Sequence, residues 1–304
     1  MNNQRFNRDY ELIIKLNTNE AIIIKNPIRI QFDSVKSVDG GLNSCRVRIY
    51  NLSENKRKKL IKEDTDTNNK IEFLLKAGYN KIETLFKGFV LESFSEKSGA
   101  DIVTTIVAMD GLVDAQGSYT SQTVKKGDAI NVILRDMPNT TRAKISERPV
   151  VQRAKVLVGN SLKLVENNLK DDETYFIDEG KLYIVKENEV ISDLVPLVNA
   201  ETGLLLTPTK KKYEVTFNTL LNPAIKIAGQ VKLESLYAPN LNGTYKVLTI
   251  TYRGDSHGTD WSQEVVCVRL NEVKLLLAEN EKKDKEKWAE WVFGNFEQPL
   301  FIFS

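Results

Sequence analysis

At 304 residues, with 41% hydrophobic and 28% charged side chains, the chain has the make-up of a soluble globular protein large enough for two or three cores. Its 43 basic and 41 acidic side chains leave a net charge of +2, which excludes recruitment of nucleic acid by bulk charge. No apolar run nears the roughly 20 residues that cross a bilayer, and the opening MNNQRFNRDY lacks the apolar core of a secretion signal, so folding in a cytoplasm is expected.

The first third reads as strands. YELIIKL, AIIIKNPIRIQFDSVKS, SCRVRIYNL, KIEFLLKAG, ETLFKGFVLESFSEK and DIVTTIVAMDG are rich in Ile, Val and Phe, several alternate with period two, and turn residues bound most of them. Together they predict a closed or nearly closed antiparallel sheet. Within it, NLSENKRKKLIKED predicts a short basic helix capped by Ser53, with Leu60 and Ile61 facing inward.

The middle changes period. KKGDAINVILRDM reads as a helix capped by Asp128, and NSLKLVENNLKDD as one capped by Ser161 with Leu162, Val165 and Leu169 on one face. AKVLVG, ETYFIDEG and GKLYIVKENEVI read as strands, the last two joined by a hairpin turn at Glu179-Gly180. Strands return in KYEVTFNTL, AIKIAGQVKLESLYA, GTYKVLTITYRG and WSQEVVCVRL; beyond Leu270 come a charged helix and an aromatic end.

The chain offers little for catalysis. The single histidine, His257, sits in RGDSHGTDWSQE between Asp255 and Asp260, but a general base needs an orienting partner and a metal needs three or four converging ligands. Cys45 and Cys267, far apart in strand-like stretches, read as small buried hydrophobes. The sequence therefore assigns no catalytic, cofactor-binding or metal-ligating residue.

An internal echo bears on that loop. Placing Phe86 over Tyr245 without gaps puts Lys87 on Lys246, Gly99 on Gly258, Asp101 on Asp260, Ile106 on Val265 and Ala108 on Cys267. GADI and GTDW become equivalent hairpin tips, with the Asp free to bond its own turn. The first copy has no histidine, so the His257 loop reads as structural or interfacial, with Trp261 buried at a strand start.

Several stretches resemble the baseplate hub proteins of tailed bacteriophages, related to phage late-control protein D and to the base of type VI spike proteins. They are RVRIYNLSENKRKKL, LFKGFVLES…GADIVTTIVAMDG, the run from TYFIDEGKLYIVKENEVI into ETGLLLTPTKKKYEVTFNTLLNPAIKIAGQVKLES, and GTYKVLTITYRGDSHGTDWSQE. The resemblance spans roughly residues 10 to 270.

It implies a mainly β chain with an α+β insert: a first tail-tube-like antiparallel β-barrel domain (1–115), a small α+β domain (116–198), a second tube-like barrel (199–270), and a C-terminal helix with an aromatic tail (271–304). It also implies a structural homotrimer whose six similar barrels form a ring around the DNA exit channel, with no enzymatic activity and no cofactor. The ring would join a hexameric tail tube to a trimeric spike, with barrel edges and loops making the subunit contacts. The expected partners are further copies of the chain, the tail tube or a tube initiator, the spike and the tape-measure protein. DNA passes without specific binding, and the expected location is the tail baseplate of a virion assembled in the host cytoplasm.

Two alternatives stay open, a tail-tip cell-wall hydrolase and a carbohydrate-binding β-protein. Against the first, the acidic clusters KDDET and KED lie in lysine-rich turns; against the second, the aromatics occupy mostly strand positions. The tail itself carries the candidate partner-binding residues Trp288, Trp291, Phe293, Phe296, Phe301 and Phe303. It either folds back on its own trimer or anchors in a groove of a different tail protein.

Overall fold

The computed structural model describes residues 7–17, 20–63, 69–148 and 153–273. Its first segment runs β1 (Arg8–Lys15), β2 (Ala21–Lys25), β3 (Ile30–Ser37), β4 (Ser44–Tyr50), α1 (Glu54–Leu60), β5 (Glu72–Tyr79), β6 (Lys81–Ser98) and β7 (Asp101–Met109). The alternation seen in the sequence sorts side chains between faces. In β1, Tyr10, Leu12 and Ile14 are buried, while the residues between them are not. In β3, Ile30, Phe32, Ser34 and Lys36 all point inward.

A smaller module follows: α2 (Leu112–Gly117), β8 (Tyr119–Val124), α3 (Ala129–Arg135), β9 (Thr141–Ile145), β10 (Lys155–Asn160), α4 (Ser161–Glu166), β11 (Glu173–Asp178) and β12 (Lys181–Lys186). β8 pairs with β10, β12 pairs with β11 and β9, and a separate core gathers Ile130, Ile133, Leu157, Val165, Ile177, Leu182 and Ile184. Asp128 caps α3 as expected, accepting from Ile130 N at 2.9 Å. Glu179 and Gly180 both have positive φ, which the tight β11–β12 turn requires.

The last segment comprises β13 (Leu197–Val198), β14 (Leu204–Lys211), β15 (Glu214–Leu220), β16 (Gln230–Leu233), β17 (Gly243–Asp255) and β18 (Trp261–Val268). First and last segments are not separate sheets. One thirteen-stranded sheet runs β14-β15-β18-β17-β3-β4-β7-β6-β5-β1-β2, with β16 also on β17 and β13 on β16, and one hydrophobic cluster spans both segments. The join is the antiparallel pair of β3 with β17. The first-third sheet therefore does not close on itself along β3, whose outer edge is taken by β17 from the last segment of the chain, a pairing that no local pattern encodes.

Local expectations fail where a competing contact wins. Ile61 is 61% exposed because α1 ends at Leu60, leaving Leu60 as its buried residue. Ser53 stands at the cap position but makes no side-chain cap bond. Asn160, not Ser161, caps α4, accepting from Lys163 N, while the Ser161 hydroxyl is buried against Thr120. The run AIKIAGQVKLESLYA yields only four strand residues: Ile225 and Ile227 are buried in turns, and Ala228 N–H bonds Val247 O. β8, β9, β13 and β14 are short, polar or interrupted, and no periodic pattern in the sequence marks them.

Candidate functional site

The two strand-rich segments repeat one unit. In the first, β3, β4, β5, β6 and β7 lie side by side as β3-β4-β7-β6-β5; in the last, β14 to β18 lie as β14-β15-β18-β17-β16. Pairings agree residue for residue: Cys45 faces Ala108 and Val47 faces Ile106, as Val215 faces Cys267 and Phe217 faces Val265. Both long hairpins carry a bulge at the same place, between Val90 and Glu92 and between Val247 and Thr249.

The shared bulge corrects the gapless register. The second strand does repeat at 159, Ala108 to Cys267, but the first repeats at 157, Val90 to Val247, because the second tip is two residues longer. Lys87 and Lys246 are thus not equivalent, in keeping with Lys87 being exposed and Lys246 buried. Nor do the tip aspartates bond their own turns with their side chains: Asp101 accepts from Asn51 Nδ2, and Asp260 contributes its main-chain oxygen to Asp255 N–H.

The longer tip is the seam between the segments. Asp255 accepts from Arg29 (Nε 3.2 Å, Nη2 2.7 Å), from Gln31 Nε2 at 2.8 Å and from His257 N–H at 2.9 Å. Burial alone would raise this carboxyl, but the bonds from Arg29, Gln31 and His257 N–H hold it well below the usual carboxylate range. Arg8 donates to Gly258 O and Thr259 O, and Tyr79 O–H to Trp261 O. Trp261, 1% exposed, donates its indole N–H to Gly78 O and packs edge-on against Phe32, centroids 5.4 Å apart. A side chain at Gly254 would strike the Phe32 ring at 2.2 Å, so only glycine allows this approach. The exposed His257 ring meets Ser256 Oγ at 3.0 Å. This loop fastens β1, β3 and β5 to the last hairpin.

A second polar cluster fixes the middle module to the sheet. Lys36 Nζ lies 2.6 Å from Asp178 Oδ1, with the two side chains 3% and 9% exposed. Burial works against the ammonium, yet the Asp178 charge holds it above its ordinary range. Asp110, next to them in the electrostatics, is pushed up to about 7, first by burial and then by Asp178, with Lys36 and the Gly180 N–H pulling the other way. Asn43 Nδ2 donates to Ile177 O at 2.8 Å, and Thr174 Oγ1 to Val38 O at 2.6 Å. Lys246 Nζ donates to Glu187 O, and burial lowers its pKa to about 8.

Neither cluster has the form of a reaction centre. Each carboxylate has a structural partner, and the cavity of about 560 Å³ beside α2 is lined by Asp114, whose oxygens already accept from Asn139 and Thr140. Among the described residues no three His, Cys, Asp or Glu converge as a metal site, and no helix is long and apolar enough to cross a membrane. Cys45 and Cys267 are both buried. Trp288, Trp291, Phe293, Phe296, Phe301 and Phe303 lie outside the described residues. Sequence reasoning missed Arg29, Lys36, Asp110 and Asp178 as seam residues. The signal was present at Lys36, a cation in phase with the inward Ile30 and Phe32.

Comparisons with known proteins meet this geometry. Residues 11–267 match the model of a family described as baseplate hub gp41. Among curated proteins none matches. The fold is similar to that of a tail protein from Neisseria meningitidis MC58 (TM-score 0.59, 9% identity, covering 87% of this chain and 97% of that one). It is also similar to a 43 kDa tail protein of prophage MuSo2 from Shewanella oneidensis (0.59, 8%, 86% and 98%). A third likeness is the E. coli c3393 protein, a type VI secretion component described as similar to T4 tail proteins gp27 and gp5 (0.57, 8%, 84% and 76%).

Proposed function

The chain belongs to the baseplate hub gp41 family, and from that premise we propose that it is a structural, non-enzymatic hub that closes as three copies into a ring. Residues 1–115 and 199–270 supply the two tube-like domains of each copy, and 116–198 the insert. The observation that carries this reading is the duplicated five-strand unit with its shared bulge. Two similar units per chain, taken three times, give six similar faces around one axis, so one body meets a sixfold tail tube on one side and a threefold spike on the other. A trimer of single units would offer only three.

In this reading the central opening passes DNA without binding it, and the near-neutral charge suits a passage that must not hold its cargo. The partners are the other copies, the tube or its initiator, the spike and the tape-measure protein. The protein resides in the virion's baseplate after assembly in the host cytoplasm. Electron cryomicroscopy of tails, with mass measurement of the purified chain, tests the proposal. The expected result is a three-copy ring with a central opening and six similar densities; monomers alone, at high concentration and in the particle, overturn it.

A further inference from the structure

The repeat specifies how one copy meets the next. Within a chain, the strand pairing that joins the first unit to the second is at one edge: β3 lies along the outer half of β17, with Val35 facing Thr251, Ser34 facing Tyr252 and Asp33 facing Arg253. In the repeat β14 takes the place of β3 and β6 that of β17. Both equivalent edges are vacant among the described residues. β14 is the terminal strand of the sheet, and β6 has β5 and the preceding Ile71 beside it only as far as Val90, then a single bridge from Lys62 to Ser93. Phe94 to Ser98 are exposed, as are Thr209 to Lys211.

We propose that Thr209–Lys211 of β14 in one copy pair antiparallel with Phe94–Glu96 of β6 in a second copy of this chain, repeating between chains the seam that β3 and β17 make within one. The inference rests on the ring proposed above and names its contact. The register follows from the repeat. β17 maps to β6 by 157, as Val247 to Val90. Past its bulge, β14 maps to β3 by 176, because Lys211 faces Glu214 where Val35 faces Ser44, and Cys45 maps to Val215 by the same 170 as Ser44 to Glu214. Phe94 then faces Lys211, Ser95 faces Lys210 and Glu96 faces Thr209.

Three observations fit this register. Ser93 exchanges both backbone bonds with Lys62, so the backbone groups of Ser95, two residues on, point the same outward way. Lys210 sits one residue before the pair that closes the Lys212-Tyr213 turn, which aims its own backbone groups away from β15. That turn falls opposite Ser93, where the Lys62 bridge already fills the edge, so the strand that docks ends where the space ends.

Charge agrees as well. Lys211 lies diagonally between Glu92 and Glu96 and directly over Phe94, which is 45% exposed. Beside β14, Leu206 (81%), Leu236 (81%) and Tyr237 (87%) are exposed and line one cleft, an apolar surface that a neighbouring copy would cover. The contact is head-to-tail, the kind that closes rings.

A disulfide trap in the full chain tests the register. Glu96→Cys with Thr209→Cys places thiols in a non-hydrogen-bonded pair about 4.5 Å apart at Cα, within disulfide reach, and the native Cys45 and Cys267 are buried. Mild oxidation should give covalent dimers and trimers and nothing larger, while Ser98→Cys with Lys211→Cys, four residues out of register, should give monomers. Should the cysteine chain fail to fold, charge reversal reads the same contact. Lys211→Glu should weaken association at least about tenfold with an unchanged monomer melt, and Glu92→Lys with Glu96→Lys in that chain should restore it. Trimers by mass with no bond between 96 and 209 and no effect of Lys211→Glu would sink this pairing and leave the ring standing. Monomers alone in the unmodified protein would sink the ring.

Discussion

In the β6–β7 hairpin the tip is two residues, Gly99-Ala100, both exposed, and the strand before it ends in exposed Ser95 to Ser98. In the β17–β18 hairpin the tip is two residues longer, Asp255 is gripped by Arg29 and Gln31, Arg8 holds the main chain of Gly258 and Thr259, and the edge is covered by β3. Backbone order, bulge and inward residues are shared; what differs is whether another strand has claimed the edge. Among the described residues a strand covers that edge only in the last unit, and the tip beside the covered edge is the longer and more heavily bonded one.

The largest break in this comparison is at its equivalent anchors. Trp261 and Ile102 occupy the same position of the two units, but Trp261 is 1% exposed and holds Gly78 O, while Ile102 is only half-buried. Trp261→Ala should cost about 4 kcal/mol in denaturant unfolding and Ile102→Ala about 1 kcal/mol. Equal costs would mean that the second hairpin is not the fastened one.

Lys36→Met comes next. It leaves Asp178 buried without its cation, and loss of one partner of a buried pair costs about 3 kcal/mol or more. Its counterpart by the repeat, Lys212, lies in an exposed turn, so Lys212→Met should change stability by less than about 0.5 kcal/mol.

How far the sequence could be read follows the same division. Strands with strict alternation, the Asp128 cap, the Glu179-Gly180 turn and the burial of Trp261 were legible because each is decided within a few residues. The pairing of β3 with β17 was not, since both edges look alike in sequence and the partner is chosen by chain closure. The gapless register failed by two residues on one strand because an insertion at a tip leaves no mark on the alternation around it. The seam charges were half legible: Lys36 stood in phase with apolar neighbours, but only the fold shows that Asp178 comes to meet it and that Asp110 is close enough to feel both.

Asp110 sharpens the comparison through pH. Its value in the fold, about 7, lies above its ordinary 3.8, so its contribution to stability is fully present below pH about 4 and is lost as pH rises toward 7. Asp110→Asn keeps an oxygen for the Gly180 N–H and never ionises. The variant should therefore melt higher than the parent at pH 8, and the two curves should converge near pH 4. A parent whose melting temperature is flat between pH 4 and 7 would show that Asp110 does not titrate in that window.

The smallest expected effect falls on the chain's single histidine. His257 sits at the centre of the fastened tip, and a loop so heavily bonded invites the thought that its one unusual side chain is responsible. The bonds belong to other atoms. Asp255 takes the His257 main-chain N–H, which alanine keeps; Ser256 N–H donates to Ile30 O, while its hydroxyl accepts from Ile30 N–H; Arg8 holds the carbonyls of Gly258 and Thr259. Among the described residues the imidazole itself meets the Ser256 hydroxyl alone, in solvent, where such a bond returns little more than water does. His257→Ala should therefore stay within about 0.5 kcal/mol of the parent and assemble as well, whereas Asp255→Ala, in the same loop, should lose about 2 kcal/mol by freeing Arg29, Gln31 and the loop together. Equal losses, or metal-dependent assembly abolished by His257→Ala, would return a chemical role to the histidine.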